Sequence, residues 1–504
     1  MNISMLLDMA ADGFGDRVVI GSKDAGISAA RLDELASAGA AAIRKSGADA
    51  VVYLAVNGPV FPVAMFAAAR AGVPLVPVNY RLGSEQLDSI LANHPRALGI
   101  ADPAQGEVLA RAGISARTPE EWLASLLEVA AEEAVEAADA ESSDSGAPAV
   151  VIYTSGTTSA PKGVLLRHEN LTSYVFGSVE FANAEEADAA LVSVPPYHIA
   201  AVANVITNLY AGRRTIVLEQ FTPEQWLEIV RVEGITNALV VPTMLARIVD
   251  SDAPKEIPSL RGLAYGGAPM PARVIERALG LWPTVGFVNA YGLTETSSTI
   301  AVLGPDDHRA ALAGADEGVR ARLGSVGQPV PGVEIEIRGA FDEVLGAGEV
   351  GRICVAGDQV SAEYAGVGRM VDERGFFDTR DEGYLDADGY LFVGGRVDDT
   401  IIRGAENIAP AEIEDVLLRH PSVRDVVVVG MPDEEWGQRI EAVVVLHPGL
   451  DAEVDELRAY VRGKLRSSKT PERIVYWDEL PRTETGKLVR RHVVARLGEH
   501  PAAI

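Results

Sequence analysis

The chain has 504 residues, of which 48% are hydrophobic and 23% are charged, a composition typical of folded globular proteins and unlike that of disordered ones. Its formal net charge of −28 would repel a nucleic-acid backbone, so we exclude a nucleic-acid partner and expect any phosphate to be bound by local amides or a lysine. The single cysteine, Cys354, excludes an internal disulfide framework and a cysteine-based zinc cluster.

The beginning of the chain gives no sign of export. Residues 1–8 lack a basic region and a sustained apolar run, so they do not resemble a signal peptide. The most apolar stretch, residues 61–78, is interrupted by Arg70, Gly72 and prolines, which favours a helix followed by a strand over a membrane span. We therefore expect a cytoplasmic protein without integral membrane association.

From residue 51 onward, short β-rich runs alternate with helical stretches, a pattern that predicts βα units and parallel sheets. The acidic, alanine-rich segment 126–146 is typical of a surface helix and loop. Residues 332–338 and 350–356 indicate strands of a smaller sheet or barrel. The first units of the alternation are the runs 51–56, 74–78 and 97–101 and the helical stretches 60–71 and 84–92.

The pattern changes near residues 395–399 and then predicts a compact α+β unit of about a hundred residues, large enough to fold as a domain. We place the boundary at Asp398, which gives a large α/β body over residues 1–397 and a small C-terminal domain over residues 398–504. The elements expected in this domain are strand 400–403, helix 410–419, strands 423–429 and 441–447, helix 451–466 and strand 473–477.

Residues 154–163 form a Ser/Thr-rich loop directly after the apolar run 149–153. Backbone amides freed by Gly156, the hydroxyl groups and Lys162 suit the β- and γ-phosphates of a triphosphate. The loop is not a Walker loop, because Pro161 stands where the second glycine should be and Gly163 follows the lysine. An ordinary Ser/Thr-rich turn is the alternative interpretation.

This loop and five further motifs occur in the order seen in the acyl-CoA synthetase branch of the adenylate-forming, or AMP-binding, enzymes. The chain resembles that family over nearly its whole length, which is far more specific than any one motif. The resemblance implies a body of βα layers with a small β-barrel-like part and a mobile C-terminal domain. The further motifs are residues 266–270, 291–296, 379–381, 395–399 and 481–487.

The resemblance also implies which residues bind ATP and magnesium. Tyr291 would stack on the adenine, Asp381 would accept the ribose hydroxyls beside Arg396, and Glu295 would hold Mg²⁺. Thr294 would bind the α-phosphate. The complete set expected to bind ATP or AMP is Thr154, Ser155, Gly156, Thr157, Thr158, Lys162, Gly266, Gly267, Ala268, Tyr291, Gly292, Asp381 and Arg396.

Lys487 is expected to stabilise the transition state of adenylation, and Asp398 to act as the hinge about which the C-terminal domain turns. Arg403, Gly404 and Ala405 would contact coenzyme A. The acyl pocket is expected near Val202 and Thr243, behind a gate that contains His198. The catalytic set implied by the resemblance is Lys487, Glu295, Thr294 and His198.

Three positions depart from the family pattern. Ser159 and Arg380 each stand where a glycine is usual, and Ala405 replaces the second glycine of a turn that lines the coenzyme A tunnel. Since the added methyl group of Ala405 would narrow that tunnel, the departure bears on the thioester step rather than on adenylation.

The implied activity is an ATP-dependent ligation of an apolar carboxylic acid to coenzyme A through an acyl-adenylate. The partners are small molecules, and a homodimer is expected from general frequency alone. Alternatives are a ligase that loads a carrier protein, a luciferase-type oxidase and a non-catalytic nucleotide sensor. The acidic charge disfavours the first, and the retention of Glu295 and Lys487 disfavours the last.

Overall fold

The structure is a computed structural model that describes residues 1–132, 146–154, 161–314, 316–396, 399–403, 406–433, 436–483 and 488–499. The helices in these ranges are α1 Ser4–Phe14, α2 Ala29–Ser46, α3 Val60–Ala71, α4 Ser84–Leu91, α5 Gly106–Arg111, α6 Pro119–Glu132, α7 His168–Ser178, α8 Ile199–Ala211, α9 Pro223–Val232, α10 Pro242–Asp250, α11 Ala272–Leu281, α12 Pro305–Ala313, α13 Glu317–Ala321, α14 Pro410–Leu418, α15 Val454–Arg462 and α16 Arg490–Glu499.

The strands of the first half are β1 Val18–Ile20, β2 Ile27–Ser28, β3 Val51–Leu54, β4 Leu75–Pro77, β5 Leu98–Ala101, β6 Ala116–Arg117, β7 Pro148–Thr154, β8 Lys162–Arg167, β9 Ala189–Val192, β10 Arg214–Val217 and β11 Asn237–Val240. Those of the second half are β12 Gly262–Gly266, β13 Gly286–Leu293, β14 Ser298–Leu303, β15 Gln328–Pro329, β16 Val333–Arg338, β17 Gly351–Gly357, β18 Glu363–Tyr364, β19 Gly368–Arg369, β20 Phe377–Leu385, β21 Leu391–Arg396, β22 Ile401–Arg403, β23 Glu406–Ile408, β24 Val423–Asp433, β25 Gly437–Leu446 and β26 Arg473–Tyr476.

Two large sheets form the body. One has eight strands in the order β19-β18-β8-β7-β4-β3-β5-β6, and the other has nine in the order β15-β14-β13-β12-β11-β9-β10-β1-β2. Strands β3, β4 and β5 are parallel, as are β9 to β13, because within each set a helix connects every strand to the next one along the chain. The predicted α/β architecture is confirmed.

A single apolar core joins the two sheets through the helices between them. It contains Val51 and Tyr53 of β3, Leu191 of β9, and side chains of α1 to α3 and α7 to α11. Helix α3 is buried over almost its whole length, and it ends at Gly72, whose φ of +75° terminates the helix in the left-handed conformation. This packing fixes the carboxyl ends of the parallel strands relative to one another.

One predicted element differs in part from the expectation. The segment assigned to a surface helix belongs in part to α6, which begins at Pro119 and buries Trp122 and Leu126 in the main core; residues 133–145 lie outside the described residues. The strands predicted at 332–338 and 350–356 are confirmed as β16 and β17, which belong to a smaller, four-stranded antiparallel sheet in the order β16-β17-β20-β21.

The C-terminal residues build a separate three-stranded sheet in the order β24-β25-β26. Helices α14 and α15 cover one face around Ile413, Leu457 and Val444, and α16 covers the other around Val493 and Val443. This unit therefore has apolar packing of its own, although the boundary at Asp398 stays a prediction because that residue lies outside the described ones. Among the described helices, none is long and apolar enough to cross a membrane.

Candidate active site

The carboxyl ends of four neighbouring parallel strands meet at one edge of the nine-stranded sheet. His198 follows β9, Thr243 follows β11, Gly266 ends β12, and Tyr291 lies near the end of β13. Because parallel strands that are paired point the same way, these predicted site residues lie at the same edge. Ligands commonly bind at this position in open α/β sheets.

Glycines bring the backbones of this edge into close contact. A Cβ atom on Gly266 would lie 2.2 Å from the carbonyl oxygen of Ala290, and one on Gly292 would lie 1.7 Å from that of Ser298. Gly267 has a φ of +82°, a conformation that favours glycine, and half-buried Ala268 follows it. Larger residues at Gly266 or Gly292 would push the strands apart, so the glycines keep this edge narrow.

Tyr291 and Arg396 both bind the carboxylate of Asp381, a buried residue. The Tyr291 hydroxyl donates to Oδ2 over 2.6 Å, and Nε of Arg396 lies 2.9 Å from Oδ1. Burial raises the pKa of Tyr291 well above its usual range, and the neighbouring Asp381 charge adds to the effect, so the phenol stays protonated. The cluster joins β13 of the large sheet to β20 and β21 of the four-stranded sheet.

The residues beside Asp381 hold it in place. The Thr379 hydroxyl accepts from the backbone N–H of Asp381 over 3.1 Å and donates to the carbonyl of Ile353 over 2.8 Å. Arg380 is exposed and has a φ of +60°. This left-handed backbone lies in an irregular stretch of the β17–β20 pairing, and it explains why the family pattern has a glycine at position 380. An arginine can adopt the same backbone conformation only under strain.

Glu295 lies in a 3-10 turn, Thr294–Thr296, directly after β13. Oε1 of Glu295 accepts a hydrogen bond from the Tyr364 hydroxyl over 2.9 Å, and Nζ of Lys162 lies 5.9 Å from the centre of the Tyr364 ring. Burial, followed by the charge of Glu295, raises the pKa of Tyr364, so the phenol acts as a hydrogen-bond donor. This contact joins the eight-stranded sheet to the turn after β13.

Glu295 fits the coordination chemistry of magnesium, although the described residues contain no group of three or more His, Cys, Asp or Glu that could hold a metal ion. Magnesium bound with a nucleotide commonly takes one or two carboxylates and completes its shell with phosphate oxygens and water. A single carboxylate is therefore an adequate protein contribution.

The predicted phosphate loop connects two paired strands. Thr154 at the end of β7 faces Lys162 at the start of β8. Ser155, Gly156, Thr157, Thr158 and Ser159 lie outside the described residues, so their contribution stays a prediction. The exposed Lys162 at the start of β8 nevertheless lies near the Tyr364 ring, and the hydroxyl of that ring binds Glu295.

The predicted acyl gate is aromatic. His198 precedes α8 and its ring centre lies 4.8 Å from that of Tyr197, which in turn packs edge to face on Tyr80 at 5.5 Å. Val202, one turn into α8, is fully buried, whereas Thr243 in the first turn of α10 is half-buried. The assignment of Val202 and Thr243 to an acyl pocket stays a prediction.

Among the described residues, no contact places Arg403 near the carboxyl ends of the parallel strands of the nine-stranded sheet. It pairs with Glu472 over 2.7 Å, lies 4.7 Å from the ring centre of Trp436, and lines a cavity of about 810 Å³ in the C-terminal unit. Asp398, Gly404, Ala405 and Lys487 lie outside the described residues, and their roles stay predictions.

Sequence reasoning did not identify Tyr364 or Arg273. Tyr364 lies 69 positions from the glutamate that it contacts, and Arg273 lies 174 positions from His447 of the C-terminal unit, to which it donates a hydrogen bond. No local pattern marks either residue.

Two family models match the chain. The AMP-binding enzyme model matches residues 7–365, and the AMP-binding enzyme C-terminal domain model matches residues 412–487.

Individual relatives agree with these models. The chain is 33% identical to the fatty acid–[acyl-carrier-protein] ligase ScoC of Streptomyces coeruleorubidus, over 88% of this chain and 86% of the relative. It is 35% identical to a feruloyl-CoA synthase of Amycolatopsis sp, over 89% of each. The solved o-succinylbenzoate CoA synthetase of Bacillus subtilis, in complex with the acyl-adenylate intermediate OSB-AMP, superposes with a TM-score of 0.83 at 27% identity, over 97% of each chain. The chain therefore belongs to the AMP-binding enzyme family, as an adenylate-forming ligase of the acyl-CoA synthetase type.

Proposed function

We propose that the chain joins an apolar carboxylic acid to coenzyme A in an ATP- and Mg²⁺-dependent reaction that passes through an acyl-adenylate. One observation supports this most strongly. Tyr291, which binds Asp381, and Glu295, which binds Tyr364, are four positions apart on one strand and the turn that follows it. The segment 291–295 thus carries the carboxylate proposed for the metal and, through Tyr291, binds the carboxylate of Asp381 on β20 that is proposed for the ribose.

In the first step, an oxygen of the substrate carboxylate attacks the α-phosphorus of ATP, and the bond to the pyrophosphate oxygen breaks. The Asp381 carboxylate and Arg396 hold the ribose, while Lys162 and the 154–163 loop hold the β- and γ-phosphates. Thr294 and Lys487 donate to the oxygens on which negative charge accumulates. Magnesium, when bound at Glu295, neutralises phosphate charge.

In the second step, the thiolate of coenzyme A attacks the acyl carbon and AMP leaves with the electrons of the broken C–O bond. Lys487 cannot occupy the site during both steps, so the C-terminal unit turns about Asp398 and brings Arg403, Gly404 and Ala405 towards the bound adenylate. A proline at Asp398 should lock one orientation and abolish one half-reaction. Full rates of both half-reactions in that variant would refute the hinge.

The acid is apolar, because the side chains that follow His198 and precede Thr243 are small or aliphatic. Two relatives act on a fatty acid and on an aromatic acid by name, which supports both classes as candidates. We also propose a cytoplasmic location, supported by the single buried cysteine, and a homodimer, supported by its general frequency.

The decisive experiment measures pyrophosphate release from Mg·ATP across a panel of fatty, alicyclic and aromatic acids, with and without coenzyme A, while mass spectrometry follows acyl-CoA. We expect turnover that depends on coenzyme A and an acyl-CoA product. The ScoC relationship makes a carrier protein the second candidate acceptor, so a phosphopantetheinylated carrier is added in parallel. If the acyl group passes from the adenylate to the carrier and not to coenzyme A, the carrier replaces coenzyme A as the acceptor. If no acid gives pyrophosphate, the proposed ligase activity is refuted.

A further inference from the structure

Tyr364 contacts both groups that we assign to the metal-triphosphate. Its hydroxyl donates to Oε1 of Glu295 over 2.9 Å, and its ring faces the ammonium of Lys162, whose Nζ lies 5.9 Å from the ring centre. A single side chain therefore contacts both the carboxylate of the turn that follows β13 and a lysine at the start of β8.

Backbone contacts fix the position of Tyr364 itself. It pairs with Val164 of β8, and the N–H groups on its two sides donate to different parts of the site. The N–H of Ala362 donates to the carbonyl of Glu295 over 2.9 Å, and that of Ala365 donates to the carbonyl of Gly163 over 2.8 Å. The backbone that carries Tyr364 is thus held to both the Glu295 turn and the start of β8.

We propose that Tyr364 is a positioning residue for the metal-triphosphate, which orients the Glu295 carboxylate for Mg²⁺ through its hydroxyl and holds Lys162 near the phosphates through its ring. This inference rests on the proposed function. The hydroxyl occupies Oε1 of Glu295 and leaves Oε2 for the metal. Groups that hydrogen-bond a metal-binding carboxylate in this way fix its orientation and sharpen its affinity.

The test uses the full chain and measures Mn²⁺ binding by electron paramagnetic resonance, with Mn²⁺ in place of Mg²⁺ and an α,β-methylene ATP analogue that cannot be cleaved. Calorimetry measures binding of the same analogue without metal. Tyr364→Phe removes the hydroxyl and keeps the ring, whereas Tyr364→Leu removes both. Tyr390→Phe is the matched control, because the buried Tyr390 donates to the carboxylate of Asp307 over 2.6 Å in the same way.

We expect Tyr364→Phe to weaken Mn²⁺ binding about 10- to 100-fold while metal-free binding of the analogue stays within about twofold of wild type. Tyr364→Leu should in addition weaken metal-free binding, since the contact with Lys162 is lost. A role in folding alone would lower the melting temperature and leave Mn²⁺ affinity unchanged in the folded fraction.

Wild-type Mn²⁺ affinity in Tyr364→Phe, or an equal loss in Tyr390→Phe, would overturn the role of Tyr364 and leave the proposed function intact. A wild-type chain that binds neither the analogue nor its Mn²⁺ complex would overturn the proposed function, and the role of Tyr364 with it. The two failures are therefore distinguishable in one set of titrations.

Discussion

Arg273 of α11 donates a hydrogen bond to Nε2 of His447 over 2.9 Å, across the junction between the body and the C-terminal unit. The same guanidinium donates to the carbonyl of Arg424 over 2.9 Å. Since arginine has no acceptor atom, the Nε2 of His447 must accept, and this contact requires the neutral imidazole. The orientation of the C-terminal unit seen here is thus coupled to the protonation of one histidine.

Acid should weaken this contact. Burial lowers the pKa of His447, and the neighbouring Arg273 and Arg424 charges lower it further, against a smaller opposing effect of Asp250. A group whose pKa is lowered on folding stabilises the native contact above its unfolded pKa of about 6.5, and this contribution is lost as the pH falls below that value. Energy transfer between dyes on the body and the C-terminal unit should therefore change between pH 7.5 and 5.

His447→Gln supplies the control, because the glutamine carbonyl can accept from Arg273 and does not titrate. At both pH values the variant should show the energy transfer that the wild-type protein shows at pH 7.5, when His447 is neutral. An identical pH response in the variant would show that another group governs the junction.

Asp381→Asn should weaken nucleotide binding about 10- to 100-fold, because the asparagine can still accept from Tyr291 but loses its charge against Arg396 and the ribose hydroxyls. Isothermal titration of AMP measures the effect. Asp372→Asn removes a comparable pairing with Arg338, which spans 2.6 Å, and should leave AMP affinity unchanged. Equal losses in the two variants would indicate damage to the sheet rather than to the ribose site.

Arg380→Gly should make the protein more stable and bind ATP more weakly. The change removes the strain of a left-handed arginine, a gain of about 1 kcal/mol less the entropy that glycine loses on folding, and it removes a cation beside Asp381. Ala182→Gly is the control, because it relieves the strain of a similar left-handed backbone, with a φ of +58°, and removes no cation. Urea unfolding and ATP titration measure the two quantities, and unchanged ATP affinity in Arg380→Gly would limit Arg380 to a tolerated departure.

Lys487→Ala should abolish adenylation and spare formation of the thioester from supplied acyl-adenylate. Lysine at this position is expected to stabilise charge on the carboxylate and α-phosphate oxygens during the first step alone. The two half-reactions are measured separately by pyrophosphate exchange and by acyl-CoA formation. Lys464→Ala, a lysine of the same unit that lies 5.1 Å from the centre of the Tyr460 ring, serves as the control, and equal loss of both half-reactions would contradict the assignment.

Local patterns were enough to predict the regular elements. Helix α3 has the predicted bounds, and the C-terminal unit follows the predicted alternation of strand and helix to within a few residues, because its apolar spacings are regular. Strand β24 extends to Asp433 since it pairs over its whole length with β25, a long-range constraint that no local window contains.

The site residues likewise fall into those that local motifs predict and those that depend on long-range contacts. Motif order identified Tyr291, Asp381 and Arg396, and the structure places them in contact, while their roles in catalysis stay predictions. Tyr364 and Arg273 were missed because their partners are distant in sequence, and their significance depends on which sheets and units meet. Arg380 was recognised as a departure, but its left-handed backbone became evident only with the structure.

The assembly of the site from three sheets has a thermodynamic consequence. Contacts between Tyr291 and Asp381 and between Glu295 and Tyr364 are the places where a nucleotide would contact all three sheets at once. A ligand bound there is lost when any one sheet opens, so its binding free energy opposes the unfolding of each. The nucleotide should therefore convert local openings of the separate sheets into one cooperative transition, and saturating ATP should slow hydrogen exchange even in strands that it does not touch.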